Sequence, residues 1–236
     1  MRLTPQVIND APIILNPEKK LTLQLRDLQI PYIENLSITQ DKFQVIDLTN
    51  NELIELSDIP NGFINLETLL LGNNNITHID DERFPTDNYI KSISLINNNI
   101  SRFQRTFSMK FKHLENLILI GNPITKVENY RLFMIWLIPS LKVLDFKKIK
   151  PGERQKAKEL FGDDNTVYNE LATSLIEKSI TKEKNGLESS SKDKQLNTVI
   201  HKLTKQEREE LLNKLKTATT IEEIERIETA LKTGSI

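Results

Sequence analysis

Cysteine is absent from the 236 residues. That excludes a disulfide framework, a thiolate zinc site and a cysteine nucleophile, and it fits a reducing compartment. Histidine is scarce: His78, His113 and His201 are far apart in sequence, and none has a carboxylate or second histidine at metal-ligand spacing. With only seven glycines, the chain has neither a GxGxxG run nor a P-loop, so the usual nucleotide-binding loops are missing. No serine stands in a GxSxG context. Long apolar runs are missing too. The longest, Leu132 to Ile138, is far short of the roughly 20 residues a spanning helix needs. The start, Met1-Arg2-Leu3-Thr4-Pro5, has no apolar region of the secretory kind. The acidic run Asp80-Asp81-Glu82 reads as a solvated surface, because a metal site needs ligands from more than one element. These gaps leave no catalytic constellation, and neither an enzyme, a metal nor a cofactor is expected.

What the sequence does contain is a repeat. Phe43-Gln-Val-Ile46-Asp-Leu48-Thr-Asn-Asn51-Glu-Leu53 fits the pattern LxxLxLxxNxL, and the runs from Leu66 to Ile76, Ile90 to Ile100 and Leu114 to Ile124 fit it as well. Asn51, Asn74, Asn98 and Asn122 are spaced by 23, 24 and 24 residues, which is leucine-rich-repeat spacing. Two degenerate copies flank these four, with Leu28 and Ile149 where asparagine should stand. Atypical end repeats are expected, because a terminal unit has one neighbour only. The fold class follows: an α/β leucine-rich-repeat solenoid with a parallel sheet on its concave side. Leucine and isoleucine point inward, and each asparagine serves as a structural group for backbone left unpaired by the turn after the strand.

Both ends need caps. Thr4-Pro5 reads as a helix start, and residues 4–15 should shield the first repeat. Asn129 to Pro139 reads as a helix stopped by proline, with Tyr130, Phe133 and Trp136 on one face as core packing. The last strand is expected from Val143 to Phe146, followed by a short helix from Gly152 to Phe161. The domain expectation is therefore a capped repeat domain over 1–162, a largely flexible linker over 163–202, and a C-terminal helical hairpin over 203–236. In the last segment Thr204 with Glu207 and Thr220 with Glu223 have capping-box spacing. Two such short helices are too small to be stable alone and should dock on a partner.

Strand alternation predicts the concave surface. From first repeat to last it comprises Gln24 and Arg26, Asp47 and Thr49, Leu70 and Gly72, Ser94 and Ile96, Ile118 and Ile120, and Asp145 and Lys147. Its rims are charged. Its centre, Leu70, Ile96, Ile118 and Ile120, is apolar and suits a protein interface. Arg26, Asp47 and Ser94 join these four as candidate partner-binding residues. Charge is uneven along the chain: residues 1–101 hold 7 basic against 14 acidic groups, net −7, whereas residues 102–158 hold 13 against four, net +9. A basic end of this kind attracts a polyanion. Lys147, Lys148 and Lys150 are its candidate contacts to such a polyanion.

Several stretches carry a family likeness. They are Leu25-Arg26-Asp27, the run Ile30-Pro31-Tyr32-Ile33-Glu34-Asn35-Leu36, Asn50-Asn51-Glu52, and Gly121-Asn122-Pro123-Ile124. Tyr130-Arg131-Leu132, Val143-Leu144-Asp145-Phe146 and Glu153-Arg154-Gln155 extend the likeness to residue 161. In these the chain resembles the A-prime subunit family of the spliceosomal U2 small nuclear ribonucleoprotein. The resemblance implies a non-catalytic nuclear scaffold. Its concave face would grip a helix of an RNA-recognition-motif (RRM) protein, the B-double-prime subunit. The pair would bind a stem-loop of U2 snRNA, with Lys147, Lys148 and Lys150 as the RNA-binding residues, and the C-terminal helices would reach other spliceosomal proteins. A protein-only regulatory adaptor, of the phosphatase-targeting or dynein-associated type, would share the solenoid without needing RNA.

Overall fold

In the computed structural model of the protein, residues 1–176 are described. The helical hairpin expected over 203–236, and the expected linker beyond residue 176, lie outside the described residues. Thr4 caps α1 (Pro5–Asp10) by accepting the Val7 amide on its side chain, with proline at the first helical position. The helix is shorter than the expected 4–15. After Pro12 the chain turns extended and forms β1 (Ile13–Leu15), which pairs antiparallel with β2 (Leu21–Gln24). Ala11, extended as the residue before Pro12, ends the helix, and the β-branched pair Ile13-Ile14 favours this edge strand.

From β2 the sheet grows by one parallel strand per repeat. β3 (Val45–Asp47) follows. A two-stranded convex ribbon pairs β4 (Glu55–Leu56) with β6 (His78–Ile79), and between these in sequence lies β5 (Thr68–Leu70). β7 (Ser92–Ser94) comes next, then the short helix α2 (Thr106–Lys110) and β8 (Asn116–Ile118). The register aligns Leu23, Ile46, Leu69, Ile93 and Leu117 in one row, each almost completely buried. That row is the floor of a core running the length of the solenoid.

The four asparagines form a second buried column. Asn98 is representative: its Oδ1 accepts from the Ile76 amide at 3.0 Å, and its Nδ2 donates to the carbonyls of Leu71 at 2.9 Å and Ile96 at 3.2 Å. Asn51, Asn74 and Asn122 make the corresponding bonds in their own repeats. Each amide thus ties its own turn to the preceding repeat. A third column stands just before it in the chain. Asp27, Asn50, Asn73 and Asn97 all hold left-handed backbone, with Gly121 completing the row at φ +83°. Asn97 Nδ2 donates to Asn73 Oδ1 at 2.9 Å. A Cβ on Gly121 would lie 2.2 Å from Asn97 Oδ1 and 3.0 Å from its backbone nitrogen, so glycine is required there.

The C-terminal cap is aromatic. α3 (Tyr130–Leu137) sends Phe133 against Phe103 at 4.6 Å between ring centroids and against Phe161 at 5.1 Å. Phe161 ends α4 (Pro151–Phe161), whose first turn is closed by Glu153 accepting the Lys150 amide. The last parallel strand is only β9 (Val143–Leu144), shorter than the expected Val143 to Phe146. Asp145 and Phe146 both take positive φ, 53° and 61°, and the chain reverses into β10 (Lys147–Lys148), antiparallel to β9. This is a two-residue hairpin of the I′ type.

The packed body does not stop at Gly162. Trp136 donates to the Gly162 carbonyl at 2.7 Å and meets Tyr168 edge-on at 5.4 Å. Residues 170–176 are helical, and Ala172, Leu175 and Ile176 belong to the buried core. The boundary expected at 162 therefore falls inside the fold. Small polar residues at 162–170 look like linker, yet Asn165 and Asn169 donate to the Leu137 and Leu160 carbonyls and bind the segment down. Among the described residues no helix is long and apolar enough to cross a membrane.

Candidate functional site

The concave face is built by the residues on either side of the buried row. One column is Gln24, Asp47, Leu70, Ser94 and Ile118, hydrogen-bonded strand to strand. A neighbouring column lies just beyond the strand ends: Arg26, Thr49, Gly72, Ile96 and Ile120, whose carbonyls from Thr49 onward continue the ladder to Asp27, Asn50, Asn73 and Asn97. Leu70, Ile96 and Ile118 are half-buried and Ile120 is 42% exposed. The four apolar side chains expected at the centre are thus brought together on adjacent strands with part of their surface in solvent.

A third column completes the face: Thr22, Val45, Thr68, Ser92, Asn116 and Val143. Counting only from the middle of each strand onward misses it. The same period-2 rule, applied one residue earlier, finds it. At the amino-terminal end a cleft of about 390 Å³ opens between α1 and β2, lined by Gln6, Val7, Asp10, Gln24, Arg26 and Leu28.

The charged candidates divide. Arg26 is exposed and lies 3.3 Å from the Asp47 carboxylate. Asp47 itself is 5% exposed and also accepts the Thr49 amide at 3.0 Å. It orients Arg26 and offers little charge of its own to a partner. Ser94 is half-buried between Leu70 and Ile118.

Asp145 and Lys147 do not continue the concave columns, because the strand has already turned back. Asp145 Oδ1 accepts the Leu119 amide at 2.7 Å, standing in for the carbonyl of a strand that is not there. Its Oδ2 accepts from the Tyr130 hydroxyl at 2.9 Å. Burial pushes the Tyr130 phenol up, with the Asp145 charge adding to the effect, so it stays a donor. Lys147 pairs with buried Leu144, and Lys148 with Val143. Paired residues share a face, so Lys148 and not Lys147 lies on the concave side. Both lysines and Lys150 are exposed.

This basic corner is rigidly held. Arg131 Nε donates to Glu153 at 2.7 Å and its Nη1 to the Leu144 carbonyl at 2.9 Å, tying α3 to the hairpin and to α4. The Arg131 bond to Glu153, the largest cause, and the Lys150 amide hold the Glu153 carboxyl below its ordinary value. On the convex side, folding brings His78 Nε2 within 3.7 Å of Glu55, with Asp80 nearby. Sequence spacing hid this grouping because Glu55 and His78 belong to different repeats. The Arg83 guanidinium bonds both Glu55 and Asp80 and already supplies their counter-charge.

Comparison with known proteins agrees with this architecture. Residues 1–174 match the family described as "Leucine-rich repeat". The U2 small nuclear ribonucleoprotein A' of Candida albicans is 59% identical over the whole of both chains. That of Debaryomyces hansenii is 53% identical over 99% of each. The chain belongs to the U2 small nuclear ribonucleoprotein A' family. Among solved structures, the crystal structure of the Drosophila melanogaster SNF/U2A' complex contains a chain 36% identical to this one. It superposes with a TM-score of 0.65, covering 75% of this chain and 99% of that one. The U2A' family is one of non-catalytic spliceosomal leucine-rich-repeat subunits, and the fold described above is that family's repeat domain with its cap.

Proposed function

We propose that this protein is the scaffold subunit of the U2 small nuclear ribonucleoprotein, working in the nucleus in pre-mRNA splicing. Its concave face receives a helix of the RRM-containing B-double-prime subunit, and the pair binds a U2 snRNA stem-loop. The observation that carries this reading is the apolar patch of Leu70, Ile96, Ile118 and Ile120 at the centre of a concave sheet. A helix about 10 Å across, presenting one apolar stripe, is the element that fits such a curve. A family member solved as the SNF/U2A' complex supports the same reading. Exposed Arg26 guides the partner's register at one end of the face.

Lys147, Lys148 and Lys150 face the RNA backbone. Binding a phosphate releases counterions, so removing one such lysine flattens the salt slope of binding by roughly 0.7–0.9. Replacing all three lysines with glutamine should weaken binding to the stem-loop, with the RRM partner present, and flatten that slope while leaving base preference nearly unchanged. An unchanged affinity and slope would leave the RRM protein as the sole RNA-binding surface. Affinity purification of the native complex in mild salt should recover both the RRM protein and U2 snRNA. Recovery of protein partners without RNA would favour the regulatory-adaptor reading instead.

A further inference from the structure

The tip of the terminal hairpin presents an aromatic side chain to solvent. Phe146 is 67% exposed, among the most exposed of the large apolar residues in the described chain. It also sits at φ 61°, a left-handed conformation that bulky residues rarely adopt and that hairpins of this type normally give to glycine or asparagine. Exposure and strain at one aromatic residue point to a use outside the chain's own core.

The turn that carries the ring is bonded to the rest of the cap. Asp145 is bonded to the Leu119 amide and the Tyr130 hydroxyl, and Arg131 bonds the Leu144 carbonyl on the strand leading into the turn. The two carboxylates beside the hairpin, Asp145 and Glu153, are both engaged internally. The outward charge around Phe146 is therefore that of the exposed side chains of Lys147, Lys148 and Lys150. An exposed ring followed in the chain by two exposed lysines, with Lys150 just beyond and the nearby acids turned inward, matches a nucleotide: a base for the ring and phosphates for the ammonium groups. A protein anchor would instead sit among apolar neighbours, as Ile118 does on the concave sheet.

We propose that Phe146 is a stacking platform for an unpaired base of the bound RNA, at the loop or at the end of its stem. This rests on the reading of the hairpin lysines as phosphate ligands and adds a base interaction beside them. Stacking tolerates any base, so Phe146 contributes affinity and placement more than sequence choice.

The test uses the full chain with its RRM partner. Phe146→Ala, Phe146→Tyr and the Lys147/Lys148/Lys150 triple change to glutamine are compared on the stem-loop at several salt concentrations. The stem-loop RNA carries 2-aminopurine at each unpaired position in turn. Phe146→Ala should lower RNA affinity by roughly five- to 150-fold, the range for removing one aromatic–base stack, with the salt slope unchanged. Quenching of 2-aminopurine at one position should disappear, and Phe146→Tyr should restore both. The free chain should be at least as stable with alanine, since the replaced ring is exposed. Unchanged affinity and quenching in Phe146→Ala, beside a weakened lysine variant, would overturn the stacking role and leave the phosphate-binding lysines standing. No effect in either would overturn both. Weaker binding of the RRM partner in the absence of RNA would make Phe146 a protein anchor and overturn the proposal.

Discussion

At the residue scale, stability of the solenoid depends on the buried asparagines because each satisfies donors and acceptors that no repeat can pair by itself. Asn98 is 3% exposed and serves three backbone groups. Asn98→Ala should cost about 2–4 kcal/mol in chemical denaturation, since an unsatisfied buried group costs about 1–3 kcal/mol. Asn98→Asp should cost at least as much. It keeps the acceptor for Ile76 but turns a carboxylate toward the carbonyls of Leu71 and Ile96. Equal stability of the native and alanine chains would mean that water replaces the amide. The four asparagines were legible from spacing alone. The left-handed backbone of the column beside them was not read from the sequence: Asn50, Asn73 and Asn97 repeat there too, but a residue type that tolerates positive φ does not by itself impose it.

At the element scale, the concave sheet and the terminal hairpin carry separate predictions. Ile96→Asp or Ile118→Asp should weaken binding of the RRM partner by about 2 kcal/mol or more, the scale of an interface anchor. Both side chains point away from the buried row, so the melting temperature of the free chain should move little. A large drop would show that the chain covers them itself. Beside the hairpin, Glu153 in the first turn of α4 holds Arg131 and caps that helix. Its folded pKa lies below the unfolded value of 4.5, so its contribution is fully present above that value. The contribution is lost as pH falls through the depressed folded value. Comparing Glu153→Gln with the native chain in unfolding from pH 7 down to pH 2 should show a native advantage that shrinks below about pH 4.5. An advantage constant with pH would mean that shape and not charge is what Glu153 supplies. The expected last strand to Phe146 failed at this scale. Val143, Leu144 and Phe146 are strand formers, but the Asp145 carboxylate occupies the place of the next ladder carbonyl and the chain turns.

At the scale of the whole molecule, the repeat domain closes only when the segment after α4 is included. A chain ending at Gly162 lacks the buried side chains of Ala172, Leu175 and Ile176 and the Tyr168 ring that packs on Trp136. Fully burying one leucine or isoleucine is worth about 1.5–3 kcal/mol. Ending the chain at 162 should therefore be several kcal/mol less stable than ending it at 176, measured by urea unfolding. Trp136 is the single tryptophan of the chain and reports directly on this change. Its emission should shift to longer wavelength in the shorter chain, since Trp136 is 4% exposed in the intact fold. Equal stability of the two would restore the boundary at 162. The capping role of these residues was hidden because Ala172, Leu175 and Ile176 are separated from α4 by a polar stretch typical of a linker.

What the sequence by itself determined is whatever repeats. A period of 23 to 24 residues places the inward row of leucine and isoleucine, the four asparagines of the buried column and the apolar middle of the concave face, because each unit must fit the same kind of neighbour. Only the tertiary structure decided what happens where the repetition stops: the antiparallel strand at one end, the hairpin that lifts Phe146 into solvent, and the fold of 163–176 over the aromatic cap. At an end, one side of the unit has no neighbour. The chain must then supply a different cover for each exposed surface, and that cover follows from three-dimensional fit and not from a period.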